Sequence, residues 1–383
     1  MSLKITDRAI LMIIEIKNVS AKIWNETLEK AGPSGTIFQS TFWADYLKKT
    51  YGDRPIYLAY LDKRGDIIGQ LLAVESCYGK HSALTQLGKK GRIIGKFYKY
   101  ASSLLHKIFP FIFWESGPVI IQQSQSYVTP LKRRMVHREI INRITGIAMS
   151  RGCYEVKLAR PSYFDDPSDI FSSIGFKKKR MGTILVDLEC SSLEKLFKSV
   201  DKDCRRCIRR GIEQGIEASE ISKVTDLKQF HNLHVEHSER AGIKIYPYSH
   251  FASLWSYLHP IGKLAVFVSY RQEKLLAGML CLMHNRIVHA YRIGESNYVR
   301  ANRLYANYVL WWYVIRWAHE RGFKYFDCMG VELYKIDMGC RKALTIYRFK
   351  KKWGNLVEFN DYTRTFYTPK ILKLFNRFIV DYL

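Results

Sequence analysis

The sequence predicts an α/β protein in which one kind of lobe is built twice in tandem, with no long coiled-coil arm. Three observations predict it. Residues 56–74 (IYLAYLDKRGDIIGQLLAV) and 264–282 (LAVFVSYRQEKLLAGMLCL) each read as a β-hairpin: an apolar run, a short polar turn, and a second apolar run carrying a glycine, Gly69 or Gly278. Residues 140–158 and 310–328 each read as an amphipathic helix that stops at an Arg-Gly pair, Arg151-Gly152 or Arg321-Gly322, and passes at once into a strand. Both pairs occur in the same order, in a chain of 383 residues, the length of two domains. The lobes are expected at 1–182 and 183–383, with the C-terminal segment packing back on the first.

The elements follow in chain order. The first lobe carries an insert at about 77–113. Within it, residues 92–114 mix Lys, His, Tyr, Phe and Leu with no acidic residue, the composition of a segment lying in a membrane interface; a buried helix with basic ends is the alternative. Residues 193–215 predict one helix opening the second lobe, capped by Ser191 or Ser192, with Glu194 in its first turn. Residues 368–383 predict a short amphipathic helix with Pro369 near its start. The apolar patch at 9–14 is interrupted by Glu15 and Lys17, no cleavage site follows it, and no run reaches the ~20 apolar residues of a membrane span. The expected location is cytoplasmic, or peripheral at the inner face of a membrane.

Sixty-one Lys and Arg against 35 Asp and Glu leave a formal charge of +26, which predicts attraction to polyanions without choosing among nucleic acid, anionic lipid and phosphorylated substrate. The charge is densest at 202–215 (KDCRRCIRRGIEQG). Helical spacing puts Arg205 beside Arg209 and Arg206 beside Arg210. Guanidinium forks packed this closely suit phosphate; a solvated basic face is the alternative. The eight cysteines are scattered, as reduced thiols would be. Cys204-x-x-Cys207 has no second ligand pair at zinc spacing and lies among arginines, so no metal site is expected.

Hairpin, helix and strand in this order resemble a GNAT lobe, the N-acetyltransferase α/β fold. Further motifs resemble the FemABX family. Lys202, Arg205, Ile208, Arg209 and Gly215 fit its K-x-x-R-x-x-I-R-x-A-x-x-x-G segment, with Gly211 where Ala is usual. Phe38-Gln39-Ser40-Thr41-Phe42-Trp43 is similar to the entry F-Q-S-x-x-W, and Trp114-Glu115-Ser116-Gly117-Pro118 to an aromatic-x-x-Gly-Pro turn. Arg240-Ala241-Gly242 and Tyr291-Arg292-Ile293-Gly294 resemble R-x-G and Y-x-x-G. Tyr347-Arg348-Phe349-Lys350-Lys351-Lys352-Trp353-Gly354 reads as the closing Y-x-F-K-x-x-[FW]-G. One motif departs: where D-F-G-G is common, this chain has Asp327-Cys328-Met329-Gly330.

The resemblance implies two tandem GNAT-like lobes. It also implies transfer of an aminoacyl group from aminoacyl-tRNA to an amine of a lipid-linked or nucleotide-linked peptidoglycan precursor, by a monomer with no bound cofactor. Lys350 is the expected donor to the carbonyl oxygen that gains charge under attack, with a surface lysine in a basic run as the alternative. Asp327 is a candidate base or a structural residue. Tyr291 is a candidate for orienting substrate or relaying a proton. Arg240 and Lys48 are candidates for the precursor diphosphate, and Tyr347 and Phe349 for lining the substrate site. Lys202, Arg205, Arg206, Arg209 and Arg210 are candidates for the tRNA backbone. Two other readings stay open. One is an acyl-CoA-dependent N-acyltransferase, which normally has a glycine-rich turn for the pyrophosphate; neither 126–134 nor 299–305 contains a glycine. The other is a non-enzymatic, membrane-docked RNA- or lipid-binding protein.

Overall fold

The structure, a computed structural model, describes residues 12–77, 110–121, 129–165 and 167–367. The patch before residue 12, the insert up to residue 109 and the expected helix at 368–383 lie outside the described residues. The insert ends earlier than expected, because 110–114 are already a strand. The chain forms two compact units. The first draws on residues up to Lys178 and again from Asn360; the second on Lys179–Phe359.

In the first unit the described elements are β1 (Met12–Glu15), α1 (Ala21–Glu29), α2 (Thr41–Tyr51), β2 (Arg54–Leu61), β3 (Ile67–Cys77), β4 (Pro110–Trp114), β5 (Val119–Ile120), α3 (Pro130–Ser150), β6 (Glu155–Ala159) and α4 (Ser168–Ser173). The strands lie in the order β1-β2-β3-β4-β6, antiparallel except β4 and β6, which run parallel; β5 pairs with β3. Helix α3 lays Val136, Ile140, Ile141 and Ile144 on Leu58, Ile68, Leu71 and Ile112, the buried core of the unit. A Cβ on Gly69 would meet Val136 Cγ1 at 2.5 Å, so the glycine of the hairpin marks where the helix crosses it.

The second unit contains β7 (Lys177–Asp187, from Lys179 on), α5 (Leu193–Ser199), α6 (Lys202–Glu213), β8 (Glu217–Glu220), α7 (Leu227–Ala241), α8 (Tyr248–Leu258), β9 (Leu264–Arg271), β10 (Lys274–His284), β11 (Ile287–Glu295), α9 (Asn297–Ala301), α10 (Ala306–Glu320), β12 (Tyr325–Asp327), α11 (Leu333–Asp337) and α12 (Arg341–Lys351). The last strand, β13 (Asn355–Thr365), begins here, and its residues from Asn360 belong to the first unit, where Tyr362 pairs antiparallel with Ala159 of β6. The strand order β8-β9-β10-β11-β12-β7 repeats the first unit's pattern, with β11 and β12 as the one parallel pair. Both lobes are therefore GNAT-like, and each is completed by an antiparallel strand next to the parallel pair.

The expected single helix at 193–215 is two helices. Val200 is extended, and the Asp201 carboxylate caps α6 by accepting from the amides of Asp203 and Cys204. A side chain that satisfies free helix amides starts a new helix rather than continuing the old one. Ser192 caps α5 in the same way.

Gln39 explains two sequence motifs at once. Its fully buried amide donates to the carbonyls of Leu72 (3.2 Å) and Glu115 (2.6 Å), and its oxygen accepts from the Leu72 amide (2.8 Å). Trp24 Nε1 donates to the Gln39 carbonyl, and Trp114 Nε1 to the Gly117 carbonyl. The Phe38-Gln39-Ser40 segment thus ties β3 to the turn at 115–118, and Ser40 caps α2. Gln39→Leu should strand these groups inside the protein and cost about 2–4 kcal/mol, read as a lower thermal midpoint. An unchanged midpoint would mean that the clamp is replaceable by water.

Candidate active site

In the second unit β11 and β12 are parallel neighbours over only three residue pairs, Ile287–Tyr325 to His289–Asp327. The strands then part. β11 runs on to Glu295, while the chain after Asp327 stays with β7: Cys328 donates to the Ile184 carbonyl, and Val331 and Gly182 exchange backbone hydrogen bonds. At the fork sits a fully buried pair, with His289 Nδ1 2.8 Å from Asp327 Oδ2. Asp327 Oδ1 also accepts from the Thr183 hydroxyl and from the Met329 amide at 2.8 Å. Burial pushes the Asp327 carboxyl up, but the bonds and charge of His289, with Thr183 and the Met329 amide, outweigh it and hold the group below the usual carboxylate range.

Lys350 reaches the same turn from α12. Its Nζ donates to the carbonyls of Met329 (2.9 Å) and Gly330 (3.0 Å). The side chain is half-buried, and burial lowers its pKa below the ordinary lysine value, opposed by Cys328, Asp327 and Glu332. Neighbouring residues in α12 and just past its end point elsewhere. Phe349 meets Trp311 edge-on with ring centroids 5.3 Å apart, Trp353 stacks on Trp311 at 5.7 Å, and Tyr347 is half-buried against the same core. A Cβ on Gly354 would collide with the Leu185 carbonyl. The closing motif therefore anchors α12 through Phe349, Trp353 and Gly354 and leaves Lys350 to face the turn.

Residues 198–337 match the family profile of the acetyltransferase (GNAT) domain. Over nearly its whole length the chain is similar to the crystal structure of FemX, with a TM-score of 0.66 at 15% identity, covering 96% of this chain and 100% of that one. The chain has a FemABX-like fold. It is also similar to the C-terminal domain of a protein described as a lysylphosphatidylglycerol synthetase from Agrobacterium fabrum, with a TM-score of 0.53 at 12% identity, covering 93% and 96% of the two chains. Among curated proteins none matches the chain by sequence.

The FemABX-like motifs acquire physical reasons. Met329, standing where the family has glycine, has φ +60°, a left-handed conformation that favours glycine. Gly294 lets α7 lie directly on β11, since a Cβ there would meet the His234 amide nitrogen at 2.7 Å. Gly242 ends α7 in the left-handed conformation. Gly211, in place of alanine, lets α6 cross α10 at Val309 and the Tyr305 carbonyl.

The remaining candidates separate. Tyr291 is the extra residue of a β-bulge, between Ala290 opposite Cys281 and Arg292 opposite Leu280, with the Arg292 guanidinium 3.9 Å from its ring centroid. Arg240 is ion-paired: it contacts Glu295 Oε2 at 2.5 Å and donates to Asn297 Oδ1 at 2.6 Å. Burial, with Arg240 and Arg300, pushes His237 beside it down to about 4, so it is neutral at pH 7. Lys48 is exposed in the last turn of α2, in the first unit. Lys202, Arg206, Arg209 and Arg210 are exposed on α6, Arg206 pairing with Asp203 and Arg210 with the Tyr305 hydroxyl; Arg205 turns back to the Lys198 carbonyl. The His289–Asp327 pair was missed because 38 residues separate its members and only strand pairing joins them.

The connection 296–305, which stands where a CoA enzyme has its glycine-rich turn, is occupied by its own chain. The amide of Asn297 donates to the Glu236 carboxylate (2.8 Å) and that of Tyr305 to the Gln214 side chain (3.1 Å). Those of Ser296, Val299, Asn302, Arg303 and Leu304 donate to backbone carbonyls, and that of Tyr298 to the Ser296 hydroxyl. Pyrophosphate would have to displace these acceptors, Glu236 with a like charge. About 1 mM acetyl-CoA should therefore leave the melting temperature unchanged, whereas a site at a hundredfold saturation would add about 2.7 kcal/mol of stability. A rise of several degrees would bring the CoA donor forward.

Proposed function

We propose that the chain is an N-acyltransferase of the FemABX kind, taking an aminoacyl group from aminoacyl-tRNA to an amine of a cell-wall precursor peptide. The observation that carries this reading is Lys350: a half-buried ammonium, fixed by two carbonyls beside the fork of β11 and β12, within a fold similar to that of FemX. Two further observations support it. Eight amides of the 296–305 connection, from Ser296 to Val299 and from Asn302 to Tyr305, are spent internally, which disfavours CoA as donor. The exposed Lys202, Arg206, Arg209 and Arg210 give α6 a surface suited to a phosphate backbone.

In the reaction the acceptor nitrogen attacks the ester carbonyl of the donor, the carbonyl oxygen takes up negative charge, and the ribose oxygen leaves with a proton. A cation beside that oxygen interacts more strongly with the charged intermediate than with the ester, and only such a difference speeds chemistry. An aminoacyl acceptor on a lipid headgroup is the second reading. It draws on the fold likeness to the protein described as a lysylphosphatidylglycerol synthetase.

Lys350→Ala should lower the single-turnover rate at saturating acceptor by about 10²–10³, with substrate binding little changed, while Lys351→Ala and Lys352→Ala keep the rate. Because the Lys350 pKa is lowered and the cation is the active form, the rate should fall as pH rises, starting below the range where an exposed lysine loses its proton. A Lys350→Ala enzyme with the wild-type rate would make the lysine a folding feature. A panel of charged tRNA, acetyl-CoA, peptide amines and phosphatidylglycerol identifies donor and acceptor.

Affinity for tRNA should drop roughly tenfold or more between 50 and 200 mM salt, and the triple change Arg206→Glu, Arg209→Glu, Arg210→Glu should weaken binding without moving the melting temperature. Salt-independent binding would remove nucleic acid from the scheme.

A further inference from the structure

The Asp327 carboxylate has no exposed surface, and His289, Thr183 and the Met329 amide all bond to it. A general base must come within hydrogen-bond reach of the amine it deprotonates. Asp327 instead reaches inward, and what it reaches is the seat of Lys350. Met329 takes both ends of the link: its amide donates to Asp327 at 2.8 Å and its carbonyl accepts from Lys350 at 2.9 Å. Gly330 adds a second carbonyl at 3.0 Å. Between these bonds Met329 is held at φ +60°, which a residue with a branching-free but bulky side chain avoids unless its surroundings impose it.

We propose that Asp327 is a positioning residue: clamped by His289 and Thr183, it locks the left-handed turn at Met329 whose carbonyls fix the Lys350 ammonium. The inference rests on reading Lys350 as the functional cation, but the seat itself is measurable without turnover. The titratable groups that act on Lys350 are Asp327 at the end of β12, Cys328 just after it and Glu332 immediately before α11.

The first measurement is amide hydrogen exchange at Met329. Lys350→Met, on a half-buried helix position, should leave the protein folded and speed exchange of the Met329 amide about tenfold or more, the loss of the two hydrogen bonds that Lys350 makes to the turn. The second is the titration midpoint of Lys350 in lysine-labelled protein, its resonance assigned by its loss in Lys350→Arg. Met329→Gly, which accepts the left-handed turn, should keep the midpoint. Met329→Val, which resists that turn, and Asp327→Asn, which removes the charge, should each lower it. In both, the single-turnover rate should fall tenfold or more with acceptor KM within about twofold. A purely structural role moves melting temperatures alone. If Lys350→Met leaves Met329 exchange unchanged, or if folded Asp327→Asn and Met329→Val keep the wild-type midpoint, the proposal is overturned. If Lys350→Ala keeps the wild-type rate while Met329 exchange still responds, the catalytic reading of Lys350 fails and the positioning chain stands.

Discussion

A carboxylate buried away from solvent must be met by donors from the chain, and Asp327 is the point at which the second unit answers that demand. Three elements converge to satisfy it: β11 through His289, β7 through Thr183, and the turn after β12 through the Met329 amide. Because the donors come from different strands, the carboxylate fixes where those strands meet and where they part. The fork of β11 and β12 opens immediately beyond it. The turn that leaves the fork carries the carbonyls that hold Lys350. One buried charge thus connects sheet topology to the placement of a cation.

The closing motif divides its work by helical geometry. Consecutive residues of a helix lie about 100° apart, so Phe349 and Lys350 cannot face the same way. Phe349 and, past the helix end, Trp353 are spent on Trp311 of α10, and Gly354 lets the backbone pass Leu185. What reads in one dimension as a run of site residues is mostly an anchor, with one side chain turned to the turn it serves. The N-terminal Phe38-Gln39-Ser40 motif follows the same logic. Gln39 is wholly consumed in joining β3 to the turn at 115–118, so the motif builds the first unit and presents no polar group from Gln39 to solvent.

The two lobes repeat strand order and share a device, a glycine in the hairpin under a crossing helix, but the helices differ. Gly69 lies under α3 at Val136, and Gly278 under α7 at Phe230. The glycine-free connection after β11 departs in another way. Its Asn297 and Tyr305 amides are satisfied by Glu236 and Gln214, and others by backbone carbonyls, so the connection is held by hydrogen bonds from within the chain.

Sequence by itself determined what is local or periodic. Alternating apolar runs with polar turns located both hairpins, and an amphipathic stretch ending in Arg-Gly located α3 and α10, because Gly152 and Gly322 must take positive φ at the helix stop. The motif series pointed to the fold over most of the chain. It misjudged 193–215, where the carboxylate of Asp201 ends one helix and begins another, a competition that helical periodicity does not register. Tertiary structure alone decided which of the candidate residues meet. The pairing of His289 with Asp327 depends on strand register, the ion pair that occupies Arg240 depends on α7 lying against β11, and the demand for a left-handed residue at Met329 depends on the turn after β12. Each is a contact between residues distant in the chain, and a sequence records the residues of such a contact without recording that they meet.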